Sequence, residues 1–161
     1  MAEQVAVSKE IAAPAEAVYA MVSDVTRMGE WSPECRAGEW LKESTGPAVG
    51  ARFRGTNANG KKTWSTDAVV IDADPGTRFA FDVHVGPVKV ARWAYDFAPT
   101  DGGCTVTETW TDRRNPLIRV LGKPLGGVSD RAGHNREGMI QTLDRLAAAA
   151  KAEAEAASPE V

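Results

Sequence analysis

The sequence predicts an α+β domain: a seven-stranded, curved antiparallel sheet wrapped around a long C-terminal helix, with two short helices after the first strand. Three observations carry this. From Arg36 to Thr111 β-branched and aromatic residues are punctuated by turn signals about ten residues apart, a spacing that suits hairpins and leaves no room for parallel crossovers. Beyond Thr111 the two-residue period gives way to helical spacing. At 161 residues the chain fits one domain, able to bury roughly 70% of its unfolded surface. We place that domain at 1–150, with 151–161 as a fraying helix end and tail.

Val5, Val7 and Ile11 alternate with Ala6, Ser8 and Glu10, the period of a half-buried first strand. Pro14 suits a first helical turn, and Ala17, Val18, Met21 and Val22 continue it to Asp24. Thr26 to Pro33 is a second brief helix, with Met28 and Trp31 three apart and Pro33 as its stop. Six strands follow between the turns Thr45-Gly46-Pro47, Asn57-Ala58-Asn59-Gly60, Asp74-Pro75-Gly76, Gly86-Pro87 and Asp101-Gly102-Gly103. Phe79, Phe81, Val83 and Val85, and likewise Trp93, Tyr95 and Phe97, are assigned to the buried face, with Ala80, Asp82, His84, Arg92, Ala94 and Asp96 on a wet one. Trp64 and Val69 have opposite parity, so a bulge is expected between Trp64 and Ile71. Leu117 to Gly127, broken by glycine and proline, reads as a flap. Ser129 or Asp130 then caps the last helix, whose stripe is Asn135, Met139, Leu143, Leu146 and Ala150.

One helix cannot fill the concave face of seven strands, so a cavity is expected at its far end, the usual setting of a small-molecule site. The net charge of −3 offers no footprint for nucleic acid. No apolar run approaches a bilayer span, and the N-terminus lacks signal-peptide character, so the expectation is a cytoplasmic protein without stable membrane insertion. Cys35 and Cys104 are read as ordinary small residues without a zinc or disulfide framework. No P-loop, GxGxxG or Ser-His-Asp arrangement is present, and no cofactor or metal is expected. Nothing in the sequence specifies an oligomeric state.

Ile11-Ala12-Ala13-Pro14-Ala15-Glu16-Ala17-Val18-Tyr19, Ser23-Asp24-Val25 and Trp31-Ser32-Pro33 resemble the opening of the polyketide cyclase and dehydrase group of the START-like, or SRPBCC, superfamily. Gly50-Ala51-Arg52-Phe53, Asp74-Pro75, Trp93-Ala94-Tyr95-Asp96-Phe97 and Gly103 to Trp110 resemble its strand landmarks in order, so the likeness spans nearly the whole chain. The resemblance implies a helix-grip fold with an internal hydrophobic cavity. It leaves the chemistry open, since the superfamily holds carriers, receptors, cyclases and regulators of other proteins.

The candidate ligand-binding residues are Trp31, Phe53, Asn57, Trp64, Phe81, Trp93, Tyr95, Glu108, Trp110, Asn135 and Met139, with Glu108 also the candidate acid or base. Glu108 shares parity with Val106 and Trp110, so it faces inward if they do; a carboxyl in an apolar cavity has a raised pKa and is able to move a proton. Pairing with Arg54 or contact with solvent at the mouth are its structural alternatives. Asn57 and Asn135 offer amides to a ligand, or serve turn and helix packing instead. Tyr95 and Tyr19 offer phenols, or are plain core. His84 lies on the wet face, and His134 at the edge of the helix stripe. Arg113, Arg114, Arg119 and Lys123 read as a solvated flap face, or as a landing site for an acidic group. The function expected is binding of a hydrophobic, lipid- or polyketide-like molecule, with a cyclase or dehydrase-like enzyme and a protein-interaction module as alternatives.

Overall fold

The computed structural model describes residues 3–121 and 130–157. Strand β1 (Gln4–Ile11) is followed by α1 (Ala15–Ser23), a 3₁₀ turn (Val25–Arg27) and α2 (Met28–Trp31). Then come β2 (Cys35–Trp40), β3 (Arg52–Asn59), β4 (Lys62–Asp74), β5 (Arg78–Val85), β6 (Val88–Thr100), β7 (Gly103–Asp112), α3 (Pro116–Leu121) and α4 (Arg131–Ala157). All strand pairs are antiparallel, and the sheet runs β1-β7-β6-β5-β4-β3-β2, so the first strand closes onto the last.

Helix α4 lies chiefly against β1, with further contacts to β7, α1 and α2. Asp130 caps it, its Oδ1 accepting the Gly133 N–H at 3.1 Å. The expected stripe is buried, and Met139, Leu143 and Leu146 belong to the same core cluster as Ile11 of β1 and Val106 of β7. The helix does not stop with its stripe at residue 150. It continues to Ala157, because Glu153 is held by Arg27 at 2.9 Å and Ala154 still packs on the core.

Two glycines bring the short helices down onto the sheet. A Cβ on Gly38 would strike the Val25 carbonyl oxygen, and one on Gly29 the carbonyl oxygen of Arg36. This close approach seats Met28 and Trp31 over the concave face.

The inward set of β6 holds, with Tyr95 and Phe97 buried, Trp93 half-buried, and Arg92 and Asp96 partly exposed, whereas Ala94, assigned to the wet face, is buried beside Ala80 of β5. The wet face assigned to β5 is a correction. Ala80 and Asp82 are buried there, because Arg92 at 2.7 Å and Lys89 at 2.9 Å fold over the Asp82 carboxylate and cover the outer surface. Burial opposes the charge of Asp82, yet the hydrogen bonds from Arg92 and Lys89 prevail and hold its pKa at about 2. Val85, expected inside, is exposed where β5 turns at Gly86. The β4 irregularity falls at Ile71, since Val70 and Asp72 pair with the consecutive residues Phe81 and Ala80. Trp64, Thr66, Ala68 and Val70 therefore share the inner face, and Val69 points away from it.

Candidate functional site

A cavity of about 350 Å3 opens between the concave face, α2 and the N-terminal half of α4. Its wall is built by alternation. On β7 the residues Cys104, Val106, Glu108, Trp110 and Asp112 are buried while the threonines between them are half-exposed, so the strand presents Glu108 and Trp110 to the interior. β6 adds Trp93 and Tyr95, β5 adds Phe81, β4 adds Trp64, and β3 adds Phe53 and Asn57. Trp31 comes from α2, and Asn135 and Met139 from α4. The structure thus brings all the candidate residues into one wall. Phe53 packs edge-on to Phe81 at 5.0 Å between ring centres, and Trp40, its paired residue on β2, packs edge-on to Phe53.

Glu108 is 2% exposed, and its Oε1 accepts the Tyr95 phenol at 2.8 Å. Its Oε2 is buried with no partner among the described residues. Burial pushes its pKa up to about 8, against a smaller downward pull from Tyr95. The Tyr95 phenol is driven far above its ordinary value by the same burial and by the neighbouring Glu108. At neutral pH Glu108 is therefore chiefly a neutral acid in an aromatic wall. Arg54, the partner weighed for it, instead pairs with Asp67 at 2.8 Å on exposed surface.

Asn57 donates its amide to Thr66 Oγ1 at 3.2 Å, and Asn135 Oδ1 accepts from Arg131 at 3.4 Å. Both amides border the cavity while serving local structure. Tyr19 lies outside this wall, packed edge-on to Phe79 and Phe97 as core.

Sequence reasoning missed the polar end of the cavity. Glu34 accepts from Arg131 Nη1 at 2.9 and 3.1 Å and meets His134 Nε2 at 2.8 Å, joining the α2–β2 loop to the first turn of α4. The residues are about a hundred positions apart in the chain, so no local pattern signals the cluster. Cys35 also lines the wall; burial chiefly raises its thiol to about 11.

The arginine run is not merely a solvated face. Arg114 reaches back to buried Asp112 at 2.7 Å and lines the cavity, and Arg119 approaches the same carboxylate at 3.3 Å, while Arg113 is exposed. Burial works against the Asp112 charge, and the Arg114 bonds outweigh it, leaving the carboxyl below its ordinary value. Of the flap, Pro116–Leu121 is helical; Lys123 and the stretch to Gly127 lie outside the described residues. None of the described helices is long and apolar enough to cross a membrane.

The solution NMR structure of a polyketide-cyclase-like protein from Corynebacterium glutamicum is 32% identical, covers 100% of this chain and 99% of its own, and superposes with a TM-score of 0.64. The di-domain aromatase/cyclase StfQ of the steffimycin biosynthetic pathway is 14% identical with a TM-score of 0.74, over 96% of this chain and 52% of that one. An AHSA1-like protein of Aeromonas hydrophila is 19% identical with a TM-score of 0.65, over 99% of both chains. The two more distant likenesses show the helix-grip fold. No curated protein matches the chain. The model of the family described as polyketide cyclase / dehydrase and lipid transport matches residues 2–151, and the chain belongs to that family.

Proposed function

We propose that the protein binds a hydrophobic, lipid- or polyketide-like small molecule in this cavity, with the Glu108–Tyr95 pair as its polar anchor. The volume of about 350 Å3 lies within the range of roughly 300–1,000 Å3 usual for ligand pockets. The observation that carries the reading is Glu108: a fully buried carboxyl oxygen without a partner among the described residues, set in a wall of aromatic rings. Such a group costs about 1–3 kcal/mol, which a bound polar atom would offset. A module acting only through its surface would have a filled interior, and the cavity favours the binding reading over that one.

The Glu108–Tyr95 contact also favours a second reading, a cyclase or dehydrase-like enzyme in which Glu108 moves a proton near neutral pH. Native mass spectrometry of the freshly purified protein is expected to retain an organic molecule. Absence of any such species, together with no saturable quenching of tryptophan fluorescence by an aromatic probe, would sink the binding proposal. Glu108→Gln separates carrier from enzyme: in a carrier the amide replaces the neutral acid as donor and binding is kept, with no turnover to lose, whereas an enzyme loses on the order of a hundredfold in turnover with binding kept.

A further inference from the structure

The incomplete bonding of Glu108 constrains what the cavity can select. Tyr95 has one phenolic proton and gives it to Oε1, leaving Oε2 without a partner among the described residues. An ionised Glu108 would need a cation, and among the described residues the basic groups of the same wall are Arg114, Arg131, His134 and Arg36, the last exposed to solvent on β2. Arg114 is bound to Asp112, and Arg131 and His134 are bound to Glu34. Opposite Glu108, β1 places Val7, and the cavity-facing residues of α4 nearest the stripe, Asn135 and Met139, carry no charge. The Cys35 thiol, at about 11, is protonated as well.

A carboxyl buried this deeply without a counter-charge is held as the neutral acid. With Oε1 taken by the Tyr95 proton, the acid's own proton sits on Oε2, and the group becomes a donor. We propose that Glu108 selects ligands whose inner end carries an uncharged hydrogen-bond acceptor, a ketone, aldehyde or ester carbonyl, and discriminates against amines. This rests on the cavity being a ligand site. An ammonium ion would require Glu108 to ionise and both charges to give up water, a cost that a single buried pair seldom recovers.

Three probes of one shape test this: methyl naphthyl ketone, isopropylnaphthalene and naphthylethylamine, titrated by tryptophan fluorescence at about pH 6 and about pH 9.5, either side of the acid's titration. The ketone is expected to bind roughly five- to tenfold more tightly than the hydrocarbon at the lower pH. That preference disappears at the higher pH, where the donor proton is gone. Glu108→Gln, which keeps an amide donor, retains the preference and loses its pH dependence; Glu108→Leu abolishes it at both. The amine binds no better than the hydrocarbon at the lower pH. Equal binding of ketone and hydrocarbon, indifferent to Glu108, would overturn the donor and leave the ligand cavity standing. A preference for the amine would overturn it in favour of an anionic anchor. If none of the three binds saturably, the donor and the ligand-site reading fall together.

Discussion

Two acids of the sheet show how neighbours decide the meaning of burial. Asp82 and Glu108 are both nearly sealed from solvent, but Asp82 has Arg92 and Lys89 and is held at about 2, whereas among the described residues Glu108 has only the Tyr95 phenol and is held at about 8. The consequences for stability have opposite signs. In the unfolded chain Glu108 titrates near 4.5, so between there and about 8 the folded state keeps a proton that the unfolded state has lost. Stability then falls as pH rises through that window, by up to about 1.4 kcal/mol per pH unit, and levels off above it. Glu108→Gln should remove this slope in urea melts recorded from pH 5 to pH 8. Asp82 contributes stability that is present above about 3.8 and is lost as pH falls through about 2. Asp82→Asn should cost on the order of 2 kcal/mol at neutral pH, read from the same melts, since the acid that anchors two overlying cations is gone.

At the scale of elements, α4 is attached by its apolar stripe far more than by its ion pairs. Leu146 is 0% exposed, so Leu146→Ala should destabilise by about 2–5 kcal/mol in chemical denaturation. Glu153, half-exposed in its pair with Arg27, should cost less than about 1 kcal/mol when changed to Gln. Equal losses from the two would mean that the tail of α4 holds more of the structure than its burial indicates. The seat of α2 has a different origin, a glycine contact. Gly38→Ala would force β2 away from the 3₁₀ turn, and increased amide exchange across Cys35–Trp40 is the expected signature.

For the whole molecule, the cavity links ligand binding to folding. A probe that enters it at about a hundred times its Kd should add about 2.7 kcal/mol to stability, which for a chain of this length raises Tm by roughly 5–10 °C. The rise should shrink in any variant that weakens binding, whatever that variant does to the unliganded protein. A probe that binds the unfolded chain as well as the folded one would give no such parallel between affinity and Tm.

The sequence alone was enough for the seven strands, their hairpin order, the inward parity of Val106, Glu108 and Trp110, and the stripe of α4. Each follows from a local period of side-chain direction, and β7 keeps its period without interruption from Cys104 to Asp112. Parity misled on the outer face of β5, because the covering of Asp82 depends on long side chains arriving from β6 and its turn. Only the folded chain decided the rest: Glu34 meeting Arg131 and His134, Arg114 turning back to Asp112, and Glu108 bonded among the described residues to Tyr95 alone. Side-chain direction is a property of a few consecutive residues. Which charges become partners, and hence which acid keeps its proton, is set by elements that meet only when the sheet closes on the helix.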